Sequence, residues 1–511
     1  MSTTSTAGRQ RRTYGYWRRP LSAGLRTVST LGTLLIFLTL ITTVVVFMFT
    51  NSYGISLGVF FVGAVAVFLI VKTDKHGYTL GQRLLARVAW WRTRSSGAHL
   101  YRSGVLGRIP WGTAALPGLA ASTHLYESVD SWDRPFAVVH MRGFDYYTVV
   151  LRADPDGAAL VDEEVVDQWV ANWGAWLAGA GNEQGLISAA VTVETAPDSG
   201  QRLRQRVRGI VADDAPDFAK AMMEEVASDW PTGSTRLNCY IALTFASSTA
   251  GRSKDTPAVL RSLASRLPGF TASLSAGTGA GPVVPMAGAQ LCELMRVAYD
   301  PKVVGPLDDL ASEQTGHELR WADVGPTATE AAWGHYRHDS AVSVTWSMPK
   351  PPAGVVTNDV LRPLLAPHPD LPRKRVTMLF RPIDAANTAW IVESDKRNAD
   401  VRASGNRPPA RALMEKRIAD RVAEEESRGA GLVDFGVLVT ATLEAEDLED
   451  DTDLARRVRE STDLVQHLAG QARVSLRPVY GSQDSAFAAS LPLGLVLPTM
   501  LRVPTELRRM M

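Results

Sequence analysis

Four groups of residues in this chain have types and spacing suited to chemistry. Ala276-Gly277-Thr278-Gly279-Ala280-Gly281-Pro282 resembles a phosphate-binding loop. Such a loop needs Lys and Ser or Thr directly after its glycines, to reach the terminal phosphates and hold magnesium. Pro282-Val283 stands there instead, and the glycine spacing lacks the final small position that opens a helix in a dinucleotide fold. The segment therefore reads as a flexible linker. His335 and His338, followed by Asp339, have the i, i+3 spacing of helical metal ligands. They lead into an expected strand, where i and i+3 point to opposite faces, and no second His or Cys pair completes a four-ligand site. The acidic run Glu444–Asp453 lacks the glycine and terminal Glu of a calcium loop. It reads as a solvated loop supplying negative charge to a helix N-terminus, with a docking surface for a basic partner as the alternative. Cys239 and Cys292 are the only cysteines. Cys239 alternates with Leu237, Ile241, Leu243 and Phe245, as an inward-facing strand residue and structural thiol does. No GxSxG, HExxH or kinase pattern occurs. The expectation is a non-enzyme, with no cofactor and no metal.

The elements that carry these residues begin with two uncharged apolar runs, Leu31–Phe49 and Ile55–Val71. A helix over the first rises roughly 28 Å, against a hydrocarbon core about 30 Å thick. The short connection Thr50-Asn51-Ser52-Tyr53-Gly54 makes the pair antiparallel. Residues 1–94 hold twelve Lys or Arg against the single Asp74, a balance of +11. Since the whole chain is at +1, the remainder stands at −10. By the positive-inside rule this predicts a multi-pass protein of the cell membrane, with its N-terminus and C-terminal body cytoplasmic. A signal peptide or two buried core helices fit the runs less well. The acidic body argues against direct nucleic-acid binding.

The expected organisation is a basic tail (1–29), a transmembrane hairpin (30–72) and a basic interfacial helix (73–96). In that helix Trp90 and Trp91 lie beside Arg83, Arg87 and Arg94, and Trp17, Arg18 and Arg19 anchor the opposite flank at the membrane interface. A helix packed on the body is the alternative for Leu80–Arg94. A linker (97–130) leads to two cytoplasmic α/β units, 131–300 and 325–495, and a tail (496–511). In both units strands alternate with helices, which gives an α+β or α/β class with two open sandwiches and raises duplication as an option.

These features resemble a known type. Tyr16-Trp17-Arg18-Arg19-Pro20 before a short double span is similar to the small two-helix inner-membrane subunit of type IV secretion systems. The body resembles the amino-terminal, non-motor half of the assembly ATPase. The likeness lies in Arg375–Arg381 running into Pro382-Ile383-Asp384, in the long charged helix from Ala410, and in the closing Ser482–Pro492 phrase. The P-loop and motor are missing, so no ATPase activity is implied. The resemblance implies a membrane-anchored scaffold, oligomeric within a complex, that docks a separate P-loop ATPase and other secretion subunits. The E component of type VII (ESX) secretion is the alternative, and a membrane-tethered enzyme of unrecognised class a second.

Overall fold

A computed structural model describes residues 12–15, 17, 30–72, 79–107, 113–158, 160–198, 200, 204, 207, 209–212, 214–229, 235–247, 255–312, 316–352, 354–405, 407–444 and 451–500. Arg18, Arg19, most of the acidic run and the end of the C-terminal tail lie outside them. Helices α1 (Thr30–Thr50) and α2 (Tyr53–Val71) form a pair turned at Asn51, whose φ of 48° an asparagine tolerates. Gly63 sets their close approach, since a Cβ there would overlap the Thr39 side chain.

Among the described residues, no helix is long and apolar enough to cross a membrane. Crossing takes about 20 consecutive apolar residues. The expected transmembrane hairpin and multi-pass membrane localisation therefore do not hold. What stands is a helical hairpin whose Phe37, Ile41, Met48, Phe61 and Val62 are exposed in the isolated chain. Helix α3 (Leu80–Ser95) follows. It opens on a capping box in which Thr79 and Gln82 each accept the other's backbone N–H by a side-chain oxygen.

The body too differs from expectation: among the described residues it is one antiparallel sheet of 13 strands instead of two separate sandwiches. In the first half come β1 (Leu100–Arg102), β2 (Thr123–Val129), β3 (Pro135–Met141), β4 (Tyr146–Ala153), α4 (Glu163–Ala180) and β5 (Leu186–Pro197). They are followed by α5 (Asp217–Asp229), β6 (Thr235–Ala246), α6 (Thr256–Ser275), β7 (Val283–Pro285) and α7 (Gly288–Tyr299). The second half holds β8 (Ala328–Ala331), β9 (Tyr336–His338), β10 (Ala341–Lys350) and β11 (Arg373–Pro382). It also holds α8 (Ala385–Ala403), α9 (Ala410–Ser427), β12 (Val433–Glu444), α10 (Asp451–Gln471), β13 (Ser475–Pro478) and α11 (Gln483–Ser490), besides short helical turns.

The two halves share one connectivity. A meander β2-β3-β4 leads by α4 to β5, then β6 inserts between β4 and β5, and β7 returns beside β4. Strand for strand, β8-β9-β10 leads to β11, β12 inserts between β10 and β11, and β13 returns beside β10. The halves meet where β5 pairs with β11, from Ala189 opposite Phe380 to Thr195 opposite Lys374. That pairing removes two exposed edges, a liability in any open sheet. The expected linker supplies strands to both ends of the sheet, since β1 pairs β8 and β2 pairs β3.

One sheet face carries a single core across both halves, joining Val139, Tyr240, Met295, Tyr336 and Leu438 to Phe487. The other face carries two. Leu263 and Leu267 of α6 cover the first half, and Val465 and Leu468 of α10 the second. The glycine-rich loop is packed, where the sequence suggests a flexible linker. Asn172 Nδ2 donates to the Gly277 carbonyl at 2.7 Å, and Gly279 lies against the Trp169 ring. Gly277, Gly279 and Gly281 all have positive φ, and a Cβ on Gly281 would overlap the Asp154 carbonyl.

Candidate functional site

The closing phrase is held across the middle of the sheet. Gln483 accepts the Thr345 N–H through Oε1 at 2.8 Å and donates to the Thr345 carbonyl through Nε2 at 3.2 Å. Thr377 Oγ1 donates to the Ser490 carbonyl at 2.7 Å. Beneath lies a seam of buried hydroxyl pairs: Thr345–Thr440 at 2.9 Å, Ser343–Thr442 at 2.8 Å and Thr148–Thr244 at 3.1 Å. Glu194 and Arg375 pair there at 2.8 Å. These groups satisfy one another and clamp the phrase to the strands. Gly494 closes the clamp at φ 69°, where a Cβ would overlap both Thr148 Oγ1 and Thr244 Oγ1. Gly494→Ala is expected to cost about 2–3 kcal/mol in urea denaturation, through backbone strain and the overlap. A loss below about 0.5 kcal/mol would show that the strap is not seated this tightly.

The residues singled out from the sequence are not gathered into one site. Trp90 of α3 packs edge-on against Trp333 with ring centroids 5.4 Å apart, and Trp333 stacks on Tyr480 at 5.8 Å. The Arg87 guanidinium lies 5.4 Å from the Trp333 ring, and that of Arg94 lies 5.3 Å from Trp90. Trp91 is exposed, as is Arg83. Helix α3 thus docks on the body through Trp90 and Arg87, the geometry of the packed alternative. Trp17 sits elsewhere, against Phe435 at 5.2 Å.

Trp17 marks a groove of about 780 Å3 over the joint between the halves. Its floor is Met378 and Phe380 of β11 with Phe435 and Val437 of β12. Leu177 and Ala178 of α4 form one wall, and Val422, Glu425 and Glu426 of α9 another. From that second wall α8 and α9 extend as a helical hairpin. Val392, Ala399, Ala412 and Ala419 are buried in it, and Lys396–Asp420, Lys416–Asp400 and Arg402–Glu415 bridge it. Trp390 is 67% exposed on this arm, and Val401, Leu413 and Met414 also face outward. Sequence reasoning missed α8 altogether, because its apolar positions have little helical periodicity.

Both cysteines are buried, and burial pushes each thiol up to about 11, as in structural thiols. His338 lies on β9, fully enclosed. Among the described residues, no group of three His, Cys, Asp or Glu is placed to hold a metal ion. No family model matches this chain, and no curated protein matches it.

Proposed function

We propose that this chain is a non-catalytic scaffold of a secretion or conjugation machine that positions a separate P-loop motor ATPase. The observation that carries the reading is the α8–α9 arm. Trp390 is two-thirds exposed on a helix pair bridged by three interhelical ion pairs, with Val401, Leu413 and Met414 also exposed there. Trp is enriched among the residues that dominate protein interfaces. The resemblance supplies the partner's class. Its three segments, β11, the charged helix α9 and the clamped closing phrase, belong to the second half or lie across its strands.

A photo-crosslinking residue at Trp390, followed by mass spectrometry of adducts from native cells, tests this. The expected adduct is a P-loop ATPase, and Met414→Ala reduces its yield at least fivefold. Adducts dominated by ESX core proteins overturn the conjugation assignment. Absence of any protein adduct at Trp390 overturns the scaffold reading itself.

A further inference from the structure

We infer that a small cavity between β1, β9 and the start of α11 binds a primary ammonium group carried on a short unbranched stem. The cavity measures about 100 Å3. That is room for about three waters at ~30 Å3 each, or for one small alkylammonium. Residues far apart in the chain build it. Tyr101 comes from β1, Tyr299 from the end of α7, Tyr336 from β9 and Asp484 from the first turn of α11. His99 and Gly118 complete the wall, and the Asp484 carboxylate lies 3.8 Å from where a Cβ on Gly118 would stand.

Asp484 is the one carboxylate in this lining, and no Lys or Arg lines it. Among the described residues the Asp484 side chain has neither an ion-pair nor a hydrogen-bond partner. Negative charge suits the first turn of a helix, which accounts for an acid at this position. It does not account for Tyr299. That residue is 1% exposed and lines the same cavity, and among the described residues its hydroxyl is also without a partner. A buried hydroxyl left unpaired is costly. Burial pushes the Tyr299 phenol well above its ordinary value, with Tyr336 and Asp484 acting in the same direction, so it stays neutral. The cavity therefore presents a free carboxylate and a free phenol oxygen together.

The rings around them are held in place. The Tyr101 hydroxyl donates to the Ala115 carbonyl, and Tyr299 and Tyr336 pack on Phe487 with ring centroids 5.2 and 5.4 Å apart. An alkylammonium meets every part of this set. Its N–H groups donate to Asp484 and Tyr299, its charge offsets the carboxylate, and aromatic rings attract a cation. Water supplies only the hydrogen bonds, and a quaternary ammonium only the charge. The inference does not rest on the ATPase assignment, because the cavity belongs to this chain alone.

Isothermal titration calorimetry of the full chain with n-butylammonium chloride, at constant ionic strength in KCl, tests this. Saturable one-to-one binding is expected, at least tenfold tighter than that of tetramethylammonium. Asp484→Asn should weaken it at least tenfold and Tyr299→Phe severalfold, while circular dichroism and Tm show both variants folded. A purely structural Tyr299 would leave the affinity of the folded Tyr299→Phe protein unchanged, which overturns the assignment. No saturable binding to wild type overturns the proposal, as does equal affinity in a folded Asp484→Asn protein. Equal binding of tetramethylammonium, or displacement by a modest rise in KCl, overturns the choice of a primary ammonium. With the site upheld, Nα-acetyl-lysine amide binding as tightly as n-butylammonium makes a protein's lysine the source, and much weaker binding makes it a free amine.

Discussion

Glu194→Gln is expected to lower stability by about 3–5 kcal/mol, the range for breaking a buried ion pair from one side. Glu194 is 3% exposed at the end of β5, and its Oε1 accepts from Arg375 Nη2 of β11 at 2.8 Å. The Arg373 guanidinium lies 3.9 Å from the same oxygen, and its Nε has no partner. Burial pushes Arg373 down from the ordinary arginine value, and Glu194 acts against that shift. One carboxylate therefore offsets two buried guanidinium groups across the strand pair that joins the halves. Removing its charge leaves Arg375 without its bonded carboxylate and Arg373 with only the weaker pull of Glu444, in a low-dielectric setting.

The companion Glu194→Leu/Arg375→Met removes charge from both sides and fills the volume with apolar atoms. It is expected to lie closer to wild type than Glu194→Gln does, as replacements of whole buried pairs often do. Urea denaturation of the three proteins at pH 7.5 measures this. A single-variant loss below about 1 kcal/mol would mean that water reaches the pair and that the joint does not depend on it.

The joint also marks where the sequence stops being legible. Alternation in Val342–Met348 and in Leu237–Phe245 identifies strands and their inward faces, because burial on one face imposes a period of two. The charged helix from Ala410 is legible from Met414, Ile418 and Val422 at four-residue spacing. Alternation does not name a strand's neighbour. Nothing in Val191 or Val193 announces Met378 and Val376 opposite them, so one sheet reads as two units. Short strands are the hardest case. Leu100–Arg102 and Tyr336–His338 are too brief for any period to show.

The candidate site was legible by residue type and not by place. Tyr-Trp-Arg-Arg is a fair sequence signal for an interfacial anchor, yet Trp17 lies on Phe435. That contact spans nearly the whole chain, and no local rule predicts it. The closing phrase stands out as a unit, while its meaning depends on Thr345 and Thr377, which sequence alone could not connect to it.

His338 should make the fold acid-sensitive, through a proton it cannot accept while folded. Its Nδ1 is 2.6 Å from the Tyr299 carbonyl, an acceptor only, so Nδ1 carries the hydrogen. Nε2, 2.8 Å from Ser343 Oγ, is then the acceptor, and the Thr442 hydroxyl at 2.8 Å from Ser343 completes a one-directional chain. A second ring proton would face the Ser343 hydroxyl in a site with no solvent. Burial lowers the His338 pKa to about 4, with the nearby Arg375 and Arg373 acting in the same direction, while the Tyr299 carbonyl and Asp300 oppose it.

The unfolded chain titrates near the ordinary value of about 6.5. Between those two values the unfolded state binds a proton that the folded state excludes, so stability falls as pH drops from 6.5 toward 4. It is complete above 6.5. The full difference is on the order of 3 kcal/mol, from about 1.4 kcal/mol per unit. Burial also lowers His335 and His140, which adds loss of the same sign, so the measurement must be differential. Urea denaturation at pH 7.5 and 4.5 is compared between wild type and His338→Gln. The variant is expected to be less stable at pH 7.5 and to lose about 2–3 kcal/mol less than wild type on acidification. Equal losses in the two proteins would show that His338 does not hold the neutral form in the fold, and that the Thr442–Ser343–His338 chain runs in the opposite direction.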